Sequence, residues 1–267
     1  MTKKTYLRKG LGKKSAYLLS KLSENNLNLF TLDDALTILK ERKNSVNKLL
    51  HDLTKSKWLF RINRGKYLIL PLEAGAESKF TEHEFVLSSS LISPYYISYW
   101  SALNHYGWTE QVSKTIFIVT TKRKLKREIM GLTFKFITLN KTKFFGFKTI
   151  QINNHPINLA EKEKAIVDCL DQPRNCGGIV EVIKAIDEAK SELDVSKLLS
   201  YVKKMKNSAI LNRLGYILEL LEIKAEVKPS KFYVFLDPVS KKKGTYCKKW
   251  KIIENIPKEE LLSWREH

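Results

Sequence analysis

The chain has 267 residues, 43% of them hydrophobic and 10% aromatic, which is enough apolar material for packed cores and excludes a disordered chain. Its 48 Lys+Arg against 28 Asp+Glu give a formal net charge of +20, an excess that draws polyanions, nucleic acid first among them. No apolar run approaches the roughly 18 residues of a membrane helix, no secretory leader follows the basic start "MTKKTYLRKGLGKK", and Cys169, Cys176 and Cys247 form no CxxC pair, so the expectation is a reduced, cytoplasmic, two-domain protein without membrane segment, metal or cofactor.

The charge is uneven. Residues 1–80 carry 17 basic and 7 acidic side chains, and the much longer remainder holds only the same net excess. Leu11, Ser15, Leu18, Leu19 and Leu22 recur at helical spacing and predict a helix over 11–26. After a short polar break, Thr31 has the chemistry of an N-cap, with Asp33 and Asp34 in the first turn where the helix dipole favours negative charge. Leu32, Ala35, Leu36 and Leu39 form the apolar stripe of a second helix that ends near Lys40. "ERKN" is a turn, Asn44 or Ser45 caps a third helix, and Val46, Leu49, Leu50 and Leu53 are its apolar face. "WLFRINRGKYLIL" (58–70) then predicts two short strands around an Asn63-Arg64-Gly65 tip, where Gly65 supplies the positive φ of the turn, and Pro71 closes the second strand.

Three helices and a two-stranded wing in about 60 residues make a winged helix-turn-helix, placed at 1–75. The third helix would enter the major groove, offering Lys43, Asn44, Ser45, Asn47, Lys48, His51 and Lys55, and the wing would offer Arg61, Asn63, Arg64 and Lys66. Asparagine reads an adenine edge and lysine meets phosphate. A winged helix used for protein contacts is the alternative, and the positive charge on both helix and wing favours double-stranded DNA.

Residues 71–84, with Pro, Gly and Ser, read as a linker, and a second domain is expected over 81–267. "EFVLSSSLI" is a short helix, and Ser98 to Tyr106 is another with Gly107 at its C-terminus. "TIFIVTT" (115–121) is a buried strand, "KRKLKRE" a basic connection, and "LTFKFITLN" and "TIQINNHPIN" are further strands. "NLAEKEKAIVDCLDQP" (158–173) is a helix, followed by "GGIVEVIKAIDEAK", "VSKLLSYVKKM" and "SAILNRLGYILELLEI". A final hairpin, "KFYVFLDP" and "YCKKWKIIE", brackets the lysine-rich "VSKKKG". The fold class is α+β: an N-terminal winged helix-turn-helix, then a larger mixed α/β domain.

No phosphate loop, HExxH helix or GxSxG elbow occurs. Glu161, Glu163, Asp168 and Asp171, with Lys162 and Lys164 among them, combine the residue types of metal-dependent nucleases, but they lie along a helix and read as two turns of surface. Asp168 and Arg213 are ionisable residues on otherwise apolar helices, suited to a buried pair. His105 reads as a packing or capping residue, and Ser101 and Ala102 as small positions for close packing. Lys122, Arg123, Lys124, Lys126 and Arg127 form a second basic patch.

The order of segments "YYISYWSALNHYG", "IFIVTTKRK", "INLAEKEKAIVDCLDQP", "LNRLGYILELL" and "GTYCKKWKI" resembles the AbiEi-type antitoxins of bacterial and archaeal abortive-infection operons. The resemblance spans nearly the whole chain, and its motifs are short and made mostly of packing residues. It implies a DNA-binding autorepressor and antitoxin without enzymatic activity: the N-terminal domain on operator repeats of its own promoter, the C-terminal domain against a cognate nucleotidyltransferase toxin. In that frame Lys122, Arg123, Lys124, Lys126 and Arg127, and Lys241, Lys242 and Lys243, are candidates for contact with the toxin or with nucleic acid. Two other readings stand beside it: a nuclease or nucleotide-transfer enzyme brought to DNA by a winged helix, and a regulator whose second domain senses a ligand.

Overall fold

The computed structural model describes residues 10–71, 83–111 and 113–266, and the chain divides into two compact units, Met1–Leu91 and Ile92–His267. The expected linker lies for the most part in 72–82, outside the described residues. Both units mix helix and strand, and the chain is α+β.

The first unit runs α1 (Lys13–Glu24), β1 (Leu29–Thr31), α2 (Leu32–Leu39), α3 (Lys43–Lys55), β2 (Leu59–Asn63), β3 (Lys66–Ile69) and α4 (Glu84–Leu91). Thr31 does cap α2. Its hydroxyl accepts from the Asp34 amide while the Asp34 carboxylate accepts from the Thr31 amide, a reciprocal capping box. Lys40, at φ 53°, ends the helix. Neither Asn44 nor Ser45 caps α3: the helix starts at Lys43, after Arg42, without a side-chain cap, and the Ser45 hydroxyl donates to the Glu41 carboxylate instead. The residues read as a polar break supply β1, which pairs antiparallel with β3, so the hairpin belongs to a three-stranded sheet in the order β1-β3-β2.

Leu18, Leu22, Ala35, Val46 and Leu50 are fully buried in one cluster with Phe30, Leu53, Leu59 and Tyr67. Each large aliphatic side chain there contributes about 1.5–3 kcal/mol relative to exposure. The same burial fixes α3 rotationally, because Val46, Leu50 and Leu53 must face inward. Helix α4 adds to this unit by packing on β2.

The second unit contains β4 (Tyr95–Ile97), α5 (Tyr99–His105), β5 (Thr115–Thr120), β6 (Arg127–Ile129), β7 (Leu132–Thr138), β8 (Phe147–Ile152), β9 (His155–Ala160), α6 (Lys162–Asp171), α7 (Ile179–Ala189), α8 (Val195–Met205), α9 (Ser208–Leu220), β10 (Val234–Phe235), β11 (Thr245–Cys247), β12 (Ile252–Glu254) and α10 (Lys258–Leu261). Strands β4 to β9 form a mixed six-stranded sheet in the order β6-β7-β5-β4-β9-β8. On β5, Ile116, Phe117, Ile118 and Val119 are all buried, the continuous apolar run of a strand covered on both faces. The segment "TIQINNHPIN" is not one strand. It turns at Asn153 and Asn154, both at positive φ, and splits between β8 and β9, the geometry a two-residue hairpin loop needs.

Further expectations fail in this unit. Helix α6 is not surface: every residue from Glu163 to Leu170 is buried, because the helix packs against α5, α7, α8 and α9 together. The final hairpin is also absent. Strand β10 pairs parallel with β12, and β11 pairs antiparallel with β12, so the expected second arm splits into an edge strand, β11, and the middle strand, β12, which the first arm joins in parallel. Among the described residues, no helix is long and apolar enough to cross a membrane.

Candidate nucleic-acid interface

With Val46, Leu50 and Leu53 turned inward, the opposite side of α3 consists of two rows one turn apart: Lys43, Asn47, His51 and Lys55, and beside them Asn44 and Lys48. All six side chains are exposed, as is Ser45. Among the described residues Lys43, Lys48 and Lys55 have no ion-pair partner, whereas the half-buried Glu41 at the α2–α3 turn is paired with Lys14. Lys14 and the Ser45 hydroxyl hold the Glu41 carboxyl below its ordinary range. One carboxylate, Asp52, shares the exposed side of α3.

The hairpin that follows is held at three places. Leu59 to Arg61 pair with Ile69 to Tyr67, the register shifts between Arg61 and Asn63, and Asn63 then faces Lys66. The shift is the irregularity that re-aims a side chain near a strand end. At the tip, Gly65 takes φ +68°, and its carbonyl accepts from the Leu32 amide at the start of α2, so the turn is fastened to the helix layer. On the inner edge, Phe30 of β1 stacks on Tyr67 at a centroid distance of 5.7 Å. Arg61 and Arg64 are exposed, and Asn63 and Lys66 are half-buried. None of the three cations Arg61, Arg64 and Lys66 is in an ion pair among the described residues. Sequence reasoning missed β1 and the Leu32–Gly65 bond. The alternation in "NLFT" is too short to signal a strand, and the bond joins residues far apart in sequence.

The basic residues of the second unit fall in two places. Lys122, Arg123 and Lys126 are exposed after β5, and Arg127 opens β6. The Lys122 ammonium donates to the Ser93 carbonyl at 2.6 Å, and that of Lys124 sits 5.1 Å from the Phe136 ring. Lys241, Lys242 and Lys243 are exposed on the connection from β10 to β11.

The α6 carboxylates do not converge. Asp168, fully buried, pairs with Lys164 one turn earlier and accepts from the hydroxyls of Ser98 at 2.8 Å and Tyr96 at 3.1 Å. Burial pushes its carboxyl above the ordinary carboxylate value, against the pull of Lys164 and the two hydroxyls. Glu163 meets Lys197 and the Asp194 amide. Asp171 accepts from Asn207 and Lys143, and Glu161 from Tyr201. Asp168 and Arg213 are not partners: the guanidinium donates to the carbonyls of Leu170, Phe235 and Leu236. Ser101 is buried and its hydroxyl accepts from the Phe117 amide, so this small side chain ties α5 to β5. His105 is exposed at the end of α5, edge-on to the Tyr106 ring. Among the described residues, no three His, Cys, Asp or Glu side chains are placed to hold a metal ion.

The chain matches no known protein-family model and no curated protein. Among solved structures it is similar to the crystal structure of the RV2827C protein from Mycobacterium tuberculosis, with 13% sequence identity and a TM-score of 0.68, over 99% of this chain and 98% of that one. At that identity the likeness is one of fold, and it extends through both units.

Proposed function

We propose that the first unit is a winged helix-turn-helix that binds double-stranded DNA, with α3 as the reading helix and the β2–β3 hairpin as the wing. The chain as a whole is then a DNA-binding autorepressor and antitoxin acting against a cognate nucleotidyltransferase-type toxin. The observation that carries the DNA reading is the side of α3 opposite Val46, Leu50 and Leu53. It presents three lysines, two asparagines and a histidine to solvent, and Arg61, Arg64 and Lys66 follow on a hairpin fastened to α2. Lysine and arginine meet phosphates, and asparagine makes a bidentate contact with adenine. The antitoxin reading is supported by the order of segments that resembles the AbiEi type.

Binding of the protein to its own upstream region, followed against salt concentration, tests the DNA reading. Arg64→Ala with Lys66→Ala should weaken binding to every sequence and flatten the salt slope by about one unit per lost phosphate contact. Unchanged affinity would sink the wing assignment. The antitoxin reading is tested separately, by co-expression with the neighbouring reading frame: toxicity of that frame unrelieved by this chain would overturn it.

A further inference from the structure

The sheet β10-β12-β11 has one face held by α9 and one face open. Leu236 and Ile252 are completely buried and define the inner face. Side chains alternate along a strand, so Phe235, Ile253 and Tyr246, which lie in register across the three strands, point the other way. Tyr233 and Lys251 each sit two residues before a member of that row and extend the same face. The Tyr233 and Tyr246 rings meet edge-on at 5.1 Å, and the Lys251 ammonium lies 5.1 Å from the Tyr233 ring. Tyr246 is 62% exposed and Tyr233 38%.

The backbone beneath these rings is fixed from behind. The Asn212 amide of α9 donates to the carbonyls of Phe232 and Lys251, and Arg213 donates to those of Phe235 and Leu236. Residues 231–251 include seven lysines and one acid, Asp237, which is buried and accepts from the Val239 amide. Lys249 is paired with Glu219. Lys241, Lys242, Lys243 and Lys248 have no ion-pair partner among the described residues. The acids nearest the tip, Glu254 and Glu259, line a cleft with Lys243, and Glu254 accepts from Tyr216 on the inner side.

Exposed rings on a rigid sheet, ringed by unpaired lysines, are the chemistry of single-stranded nucleic acid: bases stack on the rings and phosphates meet the ammonium groups. A duplex hides its base faces and would leave the rings without a role. A protein partner fits less well, because interface cores favour aromatic residues but are depleted in lysine. We infer that the open face of β10-β12-β11 is a binding site for single-stranded RNA or DNA, separate from the duplex site proposed on the first unit and independent of that reading.

The test is fluorescence anisotropy of the full chain with labelled oligouridylate and oligothymidylate of about 15 nucleotides, long enough to cover such a platform. A labelled duplex of the same length serves as the control. Tyr246→Ala combined with Tyr233→Ala should weaken single-strand binding about tenfold or more while duplex binding stays as in the parent. Tyr246→Phe should bind single strands like the parent, because the ring does the stacking. Tyr246 is largely exposed, so thermal melting of Tyr246→Ala should match the parent. The uridylate and thymidylate arms tell the RNA strand from the DNA strand as the preferred ligand. Parent-like single-strand affinity in the double tyrosine variant overturns the inference. Competition by polyglutamate as effective as by unlabelled oligouridylate of equal charge also overturns it, since that ligand has no bases to stack.

Discussion

Lys164 and Asp168 stand one turn apart on α6, both with no exposed surface, and form an ion pair whose remaining valences are filled by the hydroxyls of Tyr96 and Ser98. Removing either charge leaves the other buried without compensation. Lys164→Met or Asp168→Leu alone should cost about 3–5 kcal/mol, whereas an apolar replacement of both ions is often close to neutral. The double variant is therefore expected to be more stable than either single one, as read by chemical denaturation. A double variant with the summed loss of both would mean that the two charges are not energetically coupled.

The pH dependence of that site has a definite sign. Burial raises the Asp168 carboxyl above its ordinary value of 3.8. Between the ordinary and the raised value the native chain binds more protons than the unfolded chain, so stability falls as pH rises through that window. The stability of the parent relative to Asp168→Asn should accordingly decline with increasing pH across the mildly acid range. A relative stability that climbs over the same range would mean a depressed carboxyl.

On α3, the two kinds of side chain predict two kinds of loss. Asn44→Ala, Asn47→Ala and His51→Ala should relax sequence preference, each base-edge contact being worth about 1–3 kcal/mol of discrimination. Lys43→Ala and Lys55→Ala should lower affinity evenly for all sequences. Binding measured against a randomised pool separates the two. An even loss in the asparagine variants would remove base reading from this face.

Gly215 lies in α9 where the Trp250 indole crosses the helix. A Cβ added there would stand 2.1 Å from the ring atom Cζ3, and the indole N–H is engaged by Glu219 at 2.7 Å. Gly215→Ala should cost about 1–3 kcal/mol through overpacking, with part of the loss recovered when Trp250→Leu is added. Thermal melting of the two variants checks this. A Gly215→Ala protein as stable as the parent would mean that the ring shifts freely.

How legible these sites were follows from how local their causes are. The stripe of Val46, Leu50 and Leu53 and the Thr31 cap act over a few residues, and both stood in the sequence as they stand in the fold. Strand β1 was missed because three residues carry too little alternation, and its reason to be a strand is β3, nearly forty positions later. Helix α6 misled for a different reason. Glu163, Lys164 and Asp168 have the look of a solvated surface, and only partners from β4 and α8 explain their burial. The exposed cations and asparagines of α3 were legible because they fall off its apolar stripe, and the aromatic face was not, since it depends on which strand lies in the middle of a sheet.

That middle strand has a consequence for synthesis. Strands β10 and β11 share no hydrogen bonds with each other, and both wait for β12. Until Ile252 to Glu254 have left the ribosome, Tyr233 and Tyr246 belong to two loose segments on either side of a lysine run. The outer face of that sheet is thus assembled last and all at once, and a chain stopped before β12 would carry every ring and every lysine of the face without the surface they make together.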